Sequence, residues 1–299
     1  MLSVGTLTLT GVATLATNGL VVMAGGTLQS GTLTSVDGGK VVFTSSGGTL
    51  DGVIVNGDLD LINGSATVLN GLVLNGTAYL GNQTNNNSVG VLSFSGSQAL
   101  GGNGTVVFGA YSDNRYNALR LDTGGAALTI GPGITVRGKN GTIGYAYLYG
   151  GPQNVGVTNQ GAILADVNGG TINIQAQPFS NQGTVQALNG GSLSIANIAD
   201  AAGLLISGGG TLGFNGTWRN TGAVTVNGST FNLSGTWTNA GAINFTNSTI
   251  NLGGSFTLAN LGTLNRSGGT VNLTGTLDAG GGSLALNAGM GSWVMSAYR

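Results

Sequence analysis

The run Asn220-Thr221-Gly222-Ala223-Val224-Thr225-Val226-Asn227-Gly228-Ser229-Thr230-Phe231-Asn232-Leu233-Ser234-Gly235-Thr236-Trp237-Thr238 decides the fold, because it begins again at Asn239-Ala240-Gly241. The same Asn-x-Gly occurs at Asn159/Gly161, Asn181/Gly183 and Asn260/Gly262, with a worn copy around Gly203. Successive glycines therefore fall 22, 20, 19, 19 and 21 residues apart. A period near 20 marks a chain that coils on itself, each repeat burying its apolar face against the next.

Each period holds two apolar/polar alternations. The first is Val224 and Val226, matched by Ile243/Phe245 and Val185/Ala187. The second is Phe231 and Leu233, matched by Ile172/Ile174, Leu193/Ile195, Leu212/Phe214, Ile250/Leu252 and Val271/Leu273. Alternation with period two puts such pairs on one face of a short strand. A third column holds one bulky residue per period: Phe179, Ile198, Trp218, Trp237 and Phe256, spaced 19, 20, 19 and 19 residues. Three strands and three turns per coil of about 19–22 residues predict a single-stranded parallel β-helix. Helix is disfavoured, since 59 of 299 residues are Gly and no i, i+3, i+4 apolar pattern is sustained.

The N-terminal third spells the same architecture differently. Leu50-Asp51-Gly52-Val53 aligns with Leu69-Asn70-Gly71-Leu72, and a looser copy follows at Leu100 to Phe108. The whole chain, 1–299, reads as one continuous β-helix of some 14 or 15 coils, roughly 70 Å long at about 4.8 Å per coil. Corner loops are expected at 82–88 and 111–122. The tail 289–299 departs from the repeat and reads as a cap or the start of a next module. Met1 to Gly11 lacks a basic segment and a cleavage site and already reads as a strand. The chain is therefore expected to be a piece of something longer, or to have a misplaced start.

Charged residues are only 6% of the chain, and two Lys and six Arg lie scattered. Nucleic-acid binding, which needs a basic face, is excluded as an expectation. No apolar run approaches the roughly 20 residues of a membrane span. Without Cys there is no disulfide framework, thiolate metal site or cysteine nucleophile. Without His the commonest general base is missing, and every acidic side chain is Asp. The chain is read as non-catalytic, with no cofactor and no metal.

Three clusters remain as candidates. Tyr111, Arg115, Tyr116 and Arg120 lie in the densest charged-aromatic stretch, with Asp113 and Asp122. It reads either as a solvated loop or as a ligand or partner contact. Tyr145, Tyr147 and Tyr149 are expected on one side of a strand, either as a stacking platform for sugar rings or as core or seam. Asp58 and Asp60, at i and i+2, face the same way. Such a pair can hold Ca²⁺ or serve as acid and base in sugar hydrolysis, or simply be solvated. The outward positions Thr171/Asn173, Ser192/Ser194, Thr211/Gly213, Thr230/Asn232, Thr249/Asn251 and Thr270/Asn272 form a hydroxyl-amide ladder. It is structural, or else a flat regular surface of the kind ice-binding solenoids use.

The runs Gly169-Gly170-Thr171-Ile172-Asn173-Ile174 and Phe179-Ser180-Asn181-Gln182-Gly183-Thr184-Val185, with Trp218-Arg219-Asn220-Thr221-Gly222 and Trp237-Thr238-Asn239-Ala240-Gly241, resemble coils of bacterial surface β-helix proteins. These are the filamentous-haemagglutinin-type adhesins and autotransporter passengers. Gly131-Pro132-Gly133-Ile134-Thr135-Val136-Arg137-Gly138 resembles a coil of the broader pectin-lyase-like superfamily. The resemblance implies a right-handed parallel β-helix, secreted or held at the bacterial outer surface, serving as a stalk or adhesive surface. Partners would be host or environmental surface glycans or proteins. A carbohydrate-binding or carbohydrate-active protein is the alternative. Bare coil edges at both ends predict end-to-end self-association unless flanking residues cover them.

Overall fold

Short alternating segments bounded by Gly and Asn cannot each bury a core, so they must stack. In the computed structural model, which describes residues 1–284 and 293–295, they do so as an all-β solenoid of about 13 turns with about three strands per coil. The first strand of each coil belongs to one face. Thirteen successive parallel pairings carry that face from Thr6–Thr8 to Trp293–Met295. The second face runs through Thr32–Ser35, Ala127–Ile130 and Thr217–Asn220 to Thr276–Asp278. The third runs from Leu20–Met23 to Thr184–Ala187, breaks, and resumes at Leu205–Ile206 as far as Thr263–Ser267. The turns number fewer than the 14 or 15 expected, because corner insertions lengthen individual coils. About 13 turns at roughly 4.8 Å make a stack about 60 Å long.

The inward columns lie in the expected register. Ile172, Leu193, Leu212, Phe231, Ile250 and Val271 pair in sequence, and so do Ile174, Ile195, Phe214, Leu233, Leu252 and Leu273. All but Leu273 are buried. Trp218 lies over Trp237 with ring centroids 5.3 Å apart and planes 10° from parallel. Phe256 continues the stack at 4.5 Å. Each indole also donates its N–H to a carbonyl 16 residues on: Trp218 to Ser234 at 2.9 Å, Trp237 to Gly253 at 3.0 Å. These rings fill the bore and satisfy backbone acceptors in the next corner at the same time.

The repeating Asn forms a second, polar column inside the coil. Asn220 Nδ2 donates to Asn239 Oδ1 at 2.7 Å and to the Gly222 carbonyl at 3.0 Å. Asn239 Nδ2 donates to the Leu261 carbonyl at 2.8 Å. Asn159 bonds Asn181 in the same way. At Asn220 and Asn239 the stacked amide has both donor and acceptor met, which offsets the cost of burial, whereas the buried Asn159 Oδ1 has no hydrogen-bond partner among the described residues. Asn260 departs from the expected column. The coil from Gly241 to Gly262 takes up its extra residues in a helical turn, Leu258–Leu261. Asn260 is there the partner of Thr257 in a capping box.

Two further expectations shift. Leu69 pairs with Asp51 rather than Leu50, and register returns at Val53 and Leu72 after an irregularity at Gly52. Of the tail 289–299, Trp293–Met295 adds one more strand to the first face; the rest of that expected cap lies outside the described residues. The hydroxyl-amide ladder is in register over all six rungs. Asn251 and Asn272 each donate along it, at 2.5 and 2.6 Å, which ties those amides to one another as ladder struts.

At Gly161, Gly183 and Gly241 the repeating Gly is explained by close approach; Gly203 instead has open space and a φ of +82°, and Gly262 combines close approach with a φ of +62°. A Cβ on Gly241 would sit 1.8 Å from the Gly222 carbonyl oxygen, and one on Gly183 would sit 2.2 Å from that of Gly161. No L side chain fits between coils at this corner. Gly213, by contrast, would place a Cβ at an ordinary 3.8 Å from Asn232 Cβ. Gly241→Ala is therefore expected to destabilise the stack by about 1–3 kcal/mol, and Gly213→Ala to stay within roughly 0.5 kcal/mol of the parent. Urea unfolding followed by the fluorescence of the buried tryptophans measures both. Equal effects would refute the close-approach account.

Candidate functional site

The departures from the repeat gather in one place. Loop 82–88 and the insertion from Gly109 to Asn117 lie side by side. The Ala110 N–H donates to the Asn82 carbonyl at 2.6 Å and the Ser112 N–H to Asn86 Oδ1 at 2.8 Å. Asn117 is fully buried beneath them, accepting from the Gly90 N–H at 3.1 Å and donating to the Asn140 carbonyl at 2.9 Å. Asn140 in turn donates to the Tyr111 carbonyl at 2.8 Å. Asn140 thus serves a loop carbonyl that has no ladder to join, while Asn117 ties the insertion to the starts of the strands Gly90–Phe94 and Asn140–Gly144.

The insertion is shorter than the expected 111–122. Ala118–Leu121 is a strand of the first face, with Leu119 and Leu121 inward on Leu92 and Phe94. Arg120 therefore projects from a strand, not from the loop. The tyrosine strip is corrected more deeply. Tyr145, Tyr147 and Tyr149 do not share one side of a strand, because the strand ends at Gly144, whose φ is +95°. Tyr147–Tyr149 then form a 3₁₀ turn that folds back over the outer surface. The reason lies below it: Val91 and Ala118 are apolar at outward positions, and Ala146 and Tyr149 cover them as a small second cluster.

This fold-back joins two clusters that are separate in the sequence. Tyr149 donates its hydroxyl to the Tyr116 carbonyl at 2.6 Å. Its ring lies 6.0 Å from the Arg120 guanidinium, whose Nε is buried and makes no hydrogen bond. The ring face takes the place of an anion there. Burial, with a lesser contribution from Tyr116, pushes the Tyr149 phenol above its ordinary value. Tyr111 and Tyr116 pack at 4.8 Å. Arg115 is held by Asp113 at 2.6 Å, and their hydrogen bond lowers the Asp113 carboxyl.

Tyr145, Tyr147 and Arg115 line a solvent-open cleft of about 340 Å³ together with Thr142, Asn173 and Gln175. Tyr147 is 67% exposed at its rim. The cleft continues along the rod. A second depression shares Tyr145 and Gln175 and adds Gln153, Gln177 and Asn197. A third, of about 470 Å³, shares Gln177 and Asn197 and ends at Arg219 and Thr238. Sequence reading overlooked Gln153, Gln175, Gln177 and Asn197. Their signal is unequal corner length. From one inward residue to the next the chain takes five residues at Ile174–Phe179, three at Ile195–Ile198 and four at Phe214–Trp218. The short corner is recessed between longer ones.

Asp58 and Asp60 stand on the third face, apart from this groove. Asp60 pairs with Lys40 at 2.6 Å and caps the Ile62 N–H, while Asp58 accepts from the Thr77 N–H at 2.8 Å. Both carboxylates are thus engaged with the adjoining coils. Among the described residues no group of three or more acidic side chains could hold a metal ion, and no helix is long and apolar enough to cross a membrane. Comparison with protein families, with curated proteins and with solved structures returns no match.

Tyr149→Phe removes one hydrogen bond from the insertion and is expected to cost about 0.5–1.5 kcal/mol locally. Limited proteolysis should then cleave residues 109–117 faster, with the coils untouched. The Asp113 clasp has a defined pH dependence. A depressed carboxyl stabilises above its unfolded value, roughly pH 3.9, and that contribution is lost as pH falls through the lower folded value. Protection from hydrogen exchange at Asp113 to Arg115, taken relative to the intrinsic rate at each pH, should fall only in acid. Unchanged protection from neutral to acid pH would contradict the clasp.

Proposed function

We propose that this chain is a non-catalytic rod, secreted or displayed at a bacterial surface, which works as a stalk or adhesin passenger region. The carrying observation is the unbroken succession of thirteen parallel pairings along the first face. One backbone ladder and one core run through nearly every coil, so the molecule holds its contact loops at a fixed distance from whatever anchors it. Variation is confined to corners, and the largest insertions meet on one side around Tyr111 to Tyr149. A rigid scaffold with variable exposed loops is the usual division of labour in binding proteins. The Cys-free composition also suits passage across a membrane in an extended state.

Surface display is tested on intact cells of the source bacterium. Antibody against the chain should label unpermeabilised cells, and externally added protease should remove the label. Label that appears only after permeabilisation would overturn the reading. Asp58→Ala/Asp60→Ala should leave adhesion of such cells unchanged, within roughly 10% on a scale where every tenfold loss of affinity is about 1.4 kcal/mol; abolished adhesion would return those carboxylates to candidacy.

A further inference from the structure

The groove that starts at Tyr147 crosses five successive coils, about 19 Å along the rod at roughly 4.8 Å per step. Unbonded amides cluster along it. Elsewhere a number of Asn and Gln side chains are tied to their copies, as in Asn75–Asn56, Gln160–Gln182 and Asn265–Asn244. Inside it, the side chains of Gln153, Gln175, Gln177 and Asn173 make no hydrogen bond to other described residues, and neither does the hydroxyl of Tyr145 or Tyr147. Asn197 uses its oxygen on the Thr217 N–H, which leaves its amino group for a partner.

We propose that this groove binds a linear, uncharged oligosaccharide lying along the rod axis. Each amide offers a donor and an acceptor, and a sugar presents hydroxyls that are both, around C–H faces that pack on an aromatic ring such as Tyr147. Charge selects against the alternatives. The groove holds no free carboxylate. Arg115 at one end is paired with Asp113 at 2.6 Å, and Arg219 at the other faces Asp200 at 3.6 Å. Phosphate or sulfate would find no unpaired basic row. A peptide added as a strand needs an open sheet edge, and the strands Thr171–Asn181 and Ser192–Ile198 are paired on both sides.

The inference goes beyond the rod reading and stands on the purified full chain. Cellohexaose, chitohexaose and mannohexaose are titrated calorimetrically, with a heparin hexasaccharide and a polyproline hexapeptide alongside. At least one neutral hexasaccharide should bind, more tightly than its own trisaccharide and with no dependence on salt. Gln175→Ala/Gln177→Ala and Tyr147→Ala should each weaken it about tenfold, the equivalent of roughly 1.4 kcal/mol. Thr249→Ala, on the first face but outside the groove, should not. These side chains are partly or fully exposed, so unfolding midpoints should match the parent. The proposal is overturned if no neutral hexasaccharide binds, if the groove variants bind as the parent does, or if the heparin or peptide probe binds better. Surface labelling with no binding would sink the groove alone; binding by a chain found inside the cell would sink the surface role alone.

Discussion

Parallel backbone pairing from coil to coil sets each residue on top of its equivalent, about 4.8 Å away. Every other feature answers to that constraint. A side chain inside the stack must tolerate its own copy as neighbour. Aliphatic residues do so by packing, and Trp218 and Trp237 by lying parallel. Buried Asn does so by bonding amide to amide, as Asn220 does with Asn239. Gly does so by having no side chain where carbonyl oxygens leave no room.

The same constraint accounts for the scarcity of charge. Like charges stacked along a ladder repel, so a repeated Lys or Asp would oppose the stack. Thr, Ser and Asn supply polarity without that penalty. Three ion pairs join charges across coils: Lys40 with Asp60, Arg137 with Asp166, Arg219 with Asp200. Such half-exposed pairs contribute little stability. Their placement matters more, because it spaces opposite signs along the rod.

Corners escape the constraint, and there the molecule becomes individual. An insertion such as Gly109 to Asn117 leaves the ladder, so buried Asn140 bonds its Tyr111 carbonyl and its own Asn117 reaches back to the strand ends at Gly90 and Asn140. Apolar Val91 and Ala118 at outward positions draw Ala146 and Tyr149 down over them. Tyr-Ala-Tyr-Leu-Tyr alternates as a strand would, yet it forms a turn, because a strand there would leave that apolar patch bare. Local pattern lost to tertiary burial at this one segment. The recess at Ala196 and Asn197 arises in a similar way, from three corner lengths that differ by one or two residues.

The period, the three inward columns, the hydroxyl-amide ladder and the pairing of Trp218 with Trp237 were legible in the residues alone. Stacking makes equivalence in sequence into contact in space, so a count of residues suffices to place them. The candidate site was not legible in that way. Tyr116 and Arg120 meet Tyr149, and Gln175, Gln177 and Asn197 share one groove, only because coils of unequal length are superposed. That depends on how the chain turns each corner, where glycine dihedrals and the burial of a few apolar atoms decide, and no repeat records it.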